Sequence, residues 1–296
     1  MKRLLLVAVV LLVSLSPASA QFTFISIDYP GGTLTTARGI NNHGEIVGAY
    51  RIMPPRHALL IKASQFLPLD ATSVLGTNYS EAFKSNDRGD VVGHYIGNDG
   101  FGHGFLLHKG VLTTLDFPSA SDTYAFGINE SGTVVGYWDI LDSGGNVLAF
   151  HGFTWSNGSF SQVDFPGSAD TSVLGINARG DFVGAWDTGI TSPIGHGFVF
   201  SKGQFISFDV PFVGATVTQG NDISAQGNIV GTYVDASGGL HGFLAQGAKF
   251  TSIDYPGAVA TTAWGINSAG QIVGNHIDTA GVLRGYLGQP GNKRKP

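Results

Sequence analysis

Apolar and polar positions alternate in runs of four to eight residues along most of this chain, and the same alternation keeps returning. The clearest copy is Gly127–Gly136, GINESGTVVG. An apolar residue is followed by a polar Asn-x-x-Gly, then by a short β-branched run, then by Gly. Five further copies occur: GINNHGEIVG (39–48), KSNDRGDVVG (84–93), GINARGDFVG (175–184), DISAQGNIVG (222–231) and GINSAGQIVG (265–274). Asn suits the first position of a type I turn, because its side chain can bond its own backbone two residues on. Gly suits the fourth, because it accepts a positive φ at no steric cost. An aromatic follows two residues after the closing Gly: Tyr50, Tyr95, Trp138, Trp186 or Tyr233, with His276 in the last copy. Each copy therefore reads as a tight β-hairpin.

The hairpin is half of a unit of about 45 residues with four strand signals. The first strand reads Thr-x-small-x-Gly-Ile-Asn, and the second is the β-branched run. The third begins with His103, His151, His196 or His241 in a His-Gly-Phe triplet, with His57 at the same place in the first unit. The fourth ends at Asp28, Asp70, Asp116, Asp164, Asp209 or Asp254, spaced 42 to 48 residues apart and mostly followed by an aromatic and Pro. Four short antiparallel strands at this period predict a propeller blade. The chain ends are out of phase with the repeat in a complementary way. The chain begins with a lone fourth strand, Phe22–Asp28, and ends with a third strand, Leu283–Leu287, that lacks a fourth. The expected fold is thus all-β: a six-bladed β-propeller of four-stranded antiparallel blades, closed by the N-terminal strand. A ring closed in this way covers the edge that a solenoid would leave open. Alternation within the first strands places small residues (Ala37 and Gly39, Ala125 and Gly127, Ala263 and Gly265) on one side and large ones on the other, so that blades can interdigitate.

Composition adds an address. Met1-Lys2-Arg3, an apolar run over Leu4–Leu15 and Ala18-Ser19-Ala20 before Gln21 read as a secretory signal peptide cleaved after Ala20. The expected organisation is a leader over 1–20, one propeller domain over 21–289 and a basic tail over 290–296. The expected location is secreted or periplasmic, with no membrane span in the mature chain. Cys is absent, which excludes disulfides, thiolate metal sites and a catalytic Cys. Without the leader, 14 basic residues face 21 acidic ones, a balance that argues against nucleic acid as a partner.

The copies GINNHGEIVG, GINESGTVVG and GINSAGQIVG, each followed by an HGF-type triplet, resemble the bacterial extracellular HAF repeat family, named for its His-Ala-Phe tripeptide. In this chain only Arg56-His57-Ala58-Leu59 keeps the Ala. The resemblance implies export and a β-repeat fold; it implies no activity and no catalytic residues.

Candidate chemistry is sparse. The repeated His and the fourth-strand Asp sit in nearly every unit, which marks them as structural, since catalysis needs one asymmetric constellation. Loop carboxylates Asp139, Asp187, Asp235 and Asp278 could in principle ring a Ca²⁺, but none has EF-hand spacing, and solvated turns are the better reading. No Gly-x-Ser-x-Gly elbow, phosphate loop or His-Glu-x-x-His occurs. No cofactor and no metal is expected. Residues that break the repeat are the remaining guide. Arg38 and Asn221 replace a large apolar residue of the first strand, and Trp264 is its bulkiest member. His276 replaces the second-strand aromatic, Arg284 replaces the third-strand His, and Arg51 and Arg56 flank Pro54-Pro55. These seven are the candidate ligand-binding residues, for an anionic or sugar-like extracellular ligand. The expected function is a monomeric binding module acting through its long-loop face. The alternatives are a propeller enzyme on an extracellular glycan, and a structural envelope or matrix protein.

Overall fold

The computed structural model describes residues 22–69, 79–189 and 195–291. Residues 1–20, where a leader is expected, Asp70 and the last residues of the basic tail lie outside them. All described secondary structure is β, and no helix among the described residues is long and apolar enough to cross a membrane.

The strand order is six repeats of one meander. Strand β1 (Phe22–Ile27) comes first in the chain. Blade 1 follows as β2 (Leu34–Ile40), β3 (Ile46–Arg51), β4 (His57–Lys62) and β5 (Gln65–Pro68). Blade 2 is β6 (Tyr79–Ser85), β7 (Val91–Ile96), β8 (Gly102–His108) and β9 (Val111–Leu115). Blade 3 is β10 (Asp122–Ile128), β11 (Val134–Leu141), β12 (Val147–Ser156) and β13 (Ser159–Val163). Blade 4 is β14 (Asp170–Ile176), β15 (Phe182–Asp187), β16 (His196–Ser201) and β17 (Gln204–Phe208). Blade 5 is β18 (Val217–Ile223), β19 (Ile229–Val234), β20 (Leu240–Gln246) and β21 (Lys249–Ile253). Blade 6 is β22 (Ala260–Ile266), β23 (Ile272–Ile277) and β24 (Leu283–Pro290), completed by β1. The pairing of β1 with β24 runs from Phe22 opposite Pro290 to Ile27 opposite Gly285, so the ring closes as its phase requires. The third strand of this blade reaches Pro290, three residues beyond the expected Leu287.

Each residue of the repeat has a packing reason. A Cβ on the second-strand Gly136 would lie 1.9 Å from the Tyr124 carbonyl and 2.8 Å from the Phe153 ring, so only Gly lets the third-strand Phe lie over the blade centre. That Phe is fully buried in blades 2 to 5, as Phe105, Phe153, Phe198 and Phe243, and Tyr286 takes its place in blade 6. The His of the same triplet clasps the outer strand. His103 bonds Asp116 at 2.9 Å, His151 bonds Asp164 at 3.1 Å, His196 bonds Asp209 at 2.9 Å and His241 bonds Asp254 at 2.6 Å. The aromatic after that Asp crosses to the next blade. Phe117 stacks on Trp138 at 4.5 Å, Phe165 on Trp186 at 4.3 Å and Tyr29 on Tyr50 at 3.8 Å. Its backbone N–H donates to the first-strand Thr, as from Phe117 to Thr123 at 3.0 Å.

The turn Asn ties the blades together at the short-turn end. Its Oδ1 accepts from its own turn, as Asn129 does from Ser131 and Thr133. Its Nδ2 donates to the backbone carbonyl of the equivalent residue one blade on. The bonds run Asn41 to Asn86 at 3.3 Å, Asn86 to Asn129 at 3.2 Å, Asn129 to Asn177 at 3.3 Å and Asn177 to Ser224 at 3.3 Å, then Asn267 back to Asn41 at 3.1 Å. Ser224 is too short to carry the relay on to blade 6. Replacing Ser224→Asn should therefore complete the circle and add about 1 kcal/mol of stability. Breaking it with Asn129→Ala should cost about 1–3 kcal/mol, because buried partners are then left unpaired. Chemical denaturation of the two variants checks this, and a lower midpoint for Ser224→Asn would count against the relay.

Candidate functional site

The first strand of every blade slips register at the same place, with a bulge between Ala37 and Gly39 and its counterparts in the other five. A bulge re-aims the unpaired side chain. Here that residue is Arg38, Phe83, Phe126, Leu174, Asn221 or Trp264, and all six line one central space. Around half the ring they form a continuous stack. The Arg38 guanidinium lies 4.2 Å from the Trp264 ring centroid and 6.0 Å from that of Phe83, and Phe83 stacks on Phe126 at 4.2 Å with their planes 4° apart. Asn221 completes its own side by donating to the Ala263 carbonyl at 2.8 Å and to Thr232 at 3.0 Å.

One position further along the first strand, four blades keep the Gly of Gly-Ile-Asn. Blades 2 and 5, three apart and so opposite one another, carry Lys84 and Asp222 instead. Their side chains meet across the axis as a buried ion pair. Asp222 is 2% exposed, and it also accepts the Ile266 backbone N–H at 2.9 Å. The pair divides the channel. Lys84 borders both a small chamber of about 70 Å³ under the asparagine turns and a constriction of about 10 Å³ at the level of the stacked rings. Toward the long-loop end the channel widens into a cavity of about 380 Å³. The ion pair lines the constriction beneath this cavity and not the cavity itself.

The wall of this cavity is aromatic: Tyr79, Phe83, Tyr124, Phe126, Tyr137 and Trp264, with Arg38, Glu81, His94 and Ile96. Glu81 is the centre of its polar network. Its carboxylate accepts from Arg38 Nε at 2.8 Å, Arg56 Nη1 at 2.9 Å, the Tyr79 hydroxyl at 2.8 Å and the Thr36 hydroxyl at 2.8 Å. Burial pushes the Glu81 pKa up, but the Arg38 and Arg56 charges outweigh it, and the carboxyl is held down at about 2. Burial also pushes His94 down to about 4, so its imidazole is neutral at neutral pH. The His94 ring stacks on Tyr124 at 4.2 Å, and Tyr124 stacks in turn on Tyr137 at 4.7 Å.

Of the seven residues singled out by sequence, Arg38 and Trp264 line this cavity, and Asn221 lines the constriction below. Arg56 reaches the site through Glu81. The other three do not line it. Arg51 bonds Thr33 at 3.3 Å. His276 fills the second-strand aromatic slot, stacked on Tyr255 at 3.7 Å. Arg284 takes over the third-strand clasp, bonding Asp28 at 2.8 Å and Asp278 at 3.0 Å. The loop carboxylates also have local duties. Asp235 and Asp278 cap their own turns. Asp139 accepts the Asp122 backbone N–H at 3.0 Å, and burial with the Asp122 charge pushes its pKa up to about 6. Among the described residues, no group of three or more His, Asp or Glu side chains is placed to hold a metal ion. Glu81, Lys84, His94 and Asp222 were not singled out. Lys84 and Asp222 did leave a signal, since opposite charges replace the same Gly in units three apart.

Fold and site define a ring-closed six-bladed β-propeller with an aromatic axial cavity open at one face. Solved structures of similar fold include a protein of unknown function from Dyadobacter fermentans, with a TM-score of 0.57 and 11% identity over 90% of this chain and 98% of that one. The β-propeller domain of the Trilobed protease from Pyrococcus furiosus gives 0.52 and 9% over 88% and 85%. A lectin from Aleuria aurantia, in complex with Fucα1-6GlcNAc, gives 0.52 and 12% over 89% and 97%. At these identities the likeness establishes the fold. No family model matches the chain, and no curated protein does.

The axial ion pair yields a stability prediction. Removing one partner strands a buried charge, so Asp222→Ala and Lys84→Ala should each cost about 3 kcal/mol. The double variant should cost less than the sum, with a coupling of at least about 1 kcal/mol. Additive losses in a denaturation cycle would show that the two charges do not depend on each other.

Proposed function

We propose that the protein is an exported carbohydrate-binding propeller whose binding site is the axial cavity at the long-loop face. The observation that carries this reading is the cavity wall itself, in which six aromatic rings surround a clamped Arg–Glu pair in a space of about 380 Å³. A sugar ring has an apolar C–H face that packs on aromatic rings and hydroxyls that bond charged groups. Small-molecule pockets are mostly apolar with a few placed polar groups, at volumes of about 300–1,000 Å³. The presence of a sugar-complexed lectin among propellers of similar fold supports the reading. Export rests on the leader expected over 1–20, and the HAF-type resemblance of the repeats fits an extracellular role.

The enzyme alternative is weaker on chemical grounds. Glycoside hydrolysis ordinarily uses two carboxyl groups flanking the bond, one of them protonated. Glu81 is the one carboxylate among the cavity-lining residues, and two arginines keep it ionised. It is held as a structural anion, with no proton to give.

The test is calorimetric titration of the mature protein with a panel of mono- and oligosaccharides, followed by the same titrations of Trp264→Ala and Tyr124→Ala. Wild type should bind at least one sugar in the panel, and each variant should weaken it about tenfold while keeping a cooperative melt. A wild-type protein that binds no sugar, or variants that bind as wild type, would overturn the assignment.

A further inference from the structure

Arg38 has more to give than the protein uses. Its Nε is committed to Glu81 at 2.8 Å. Its guanidinium plane is fixed against Trp264 at 4.2 Å. Neither Nη has a hydrogen-bond partner among the described residues, although Arg38 lines both the cavity and the constriction beneath it. A guanidinium held by one edge, with its other edge free, is a preorganised fork for two oxygens lying in one plane.

The charge balance agrees. Glu81 is already neutralised from the far side by Arg56 at 2.9 Å. With His94 neutral, the Arg38–Glu81–Arg56 cluster carries one surplus positive charge, in a protein whose overall charge is negative. Further groups there await partners. His94 is 4% exposed, and its Nε2 is buried without a hydrogen bond. The hydroxyls of Tyr124 and Tyr137 have no hydrogen-bond partner among the described residues, and both residues line the cavity. The His94 Nε2 faces Gly102 and not the cavity, so the accessible unpaired groups are the two tyrosine hydroxyls and the Arg38 edge.

We propose that the cavity is specific for a sugar ring bearing a carboxylate, a uronic-acid type of residue, with the Nη edge of Arg38 receiving the carboxylate. The two tyrosine hydroxyls serve the ring hydroxyls, and the aromatic wall, in which His94 stacks on Tyr124, takes the ring face. Glu81 acts as a positioning residue: it holds the Arg38 fork in plane and does not touch the ligand's charge. The carboxylate is favoured over a phosphate ester because the site has one positive charge to spare. A sulfate ester carries the same single charge and can also present two oxygens to the fork, so a 6-sulfated sugar is the control that separates the two. This inference rests on the carbohydrate reading of the same cavity, and the experiment separates the two.

The mature protein is titrated with glucuronate and galacturonate oligosaccharides, with their neutral glucose and galactose counterparts, and with 6-sulfated glucose. The acidic sugars should bind about tenfold or more tightly than the neutral ones, in line with a hydrogen bond to a charged group. Arg38→Gln should weaken the acidic sugars at least about tenfold more than it weakens the neutral ones, so that the preference disappears. Should Arg38→Gln fail to fold, Arg38→Lys keeps the charge for Glu81 but loses the fork, and most of the preference should vanish with it. Equal binding of acidic and neutral sugars by wild type, or tighter binding of the sulfated sugar, overturns the carboxylate assignment and leaves the carbohydrate reading standing. A retained preference in Arg38→Lys would assign it to charge alone and overturn the fork. No binding of any sugar removes both.

Discussion

Each asparagine of the repeated turn faces two ways, and the ring depends on it. Its carbonyl oxygen organises its own hairpin by accepting two backbone N–H groups. Its amide reaches across the blade boundary to the carbonyl of the next turn. The second bond brings the ends of the first strands close together around the axis, where water could not satisfy the buried carbonyls. One side chain thus does local and global duty at once, which is why a four-residue turn can set the spacing of a six-bladed ring.

The outer half of each blade is held by a different chain of contacts. The third-strand His bonds the fourth-strand Asp, the next aromatic crosses to the following blade, and its backbone N–H lands on that blade's first-strand Thr. Where the chain ends meet, Arg284 bonds Asp28 across 256 residues of sequence. A guanidinium is charged at every pH the protein would meet, whereas an imidazole is not. The clasp at the seam is therefore less dependent on protonation than its counterparts.

The site is what remains when this symmetry is broken near the axis. Bulges aim one side chain per blade at the centre, and six identical residues would make a uniform plug or pore. Instead Arg38, Trp264, Phe83 and Phe126 stack, and Lys84 and Asp222 pair in the constriction beneath the cavity. Glu81, two positions before Phe83, turns the Arg38 plane into a fixed surface. The scaffold contacts are repeated, while the charged and stacked groups around the axis occur once.

How much of this was legible along the chain follows from the range of the forces involved. Turn chemistry, alternation and period are local properties. They specified the four-stranded unit, its number and the closure by β1, because any shift in phase would turn apolar faces to water. They also marked Arg38 and Trp264 as departures from the repeat. The same criterion marked His276 and Arg284, which only substitute for an aromatic and a clasp already present in other blades. A departure in sequence does not say whether a residue changes its role or merely fills an old one with a different group. That is decided by neighbours far away in the chain. Lys84 and Asp222 are 138 residues apart, and Arg38 and Glu81 are 43 apart on different blades. Charges select partners through space, and only the closed ring brings these together.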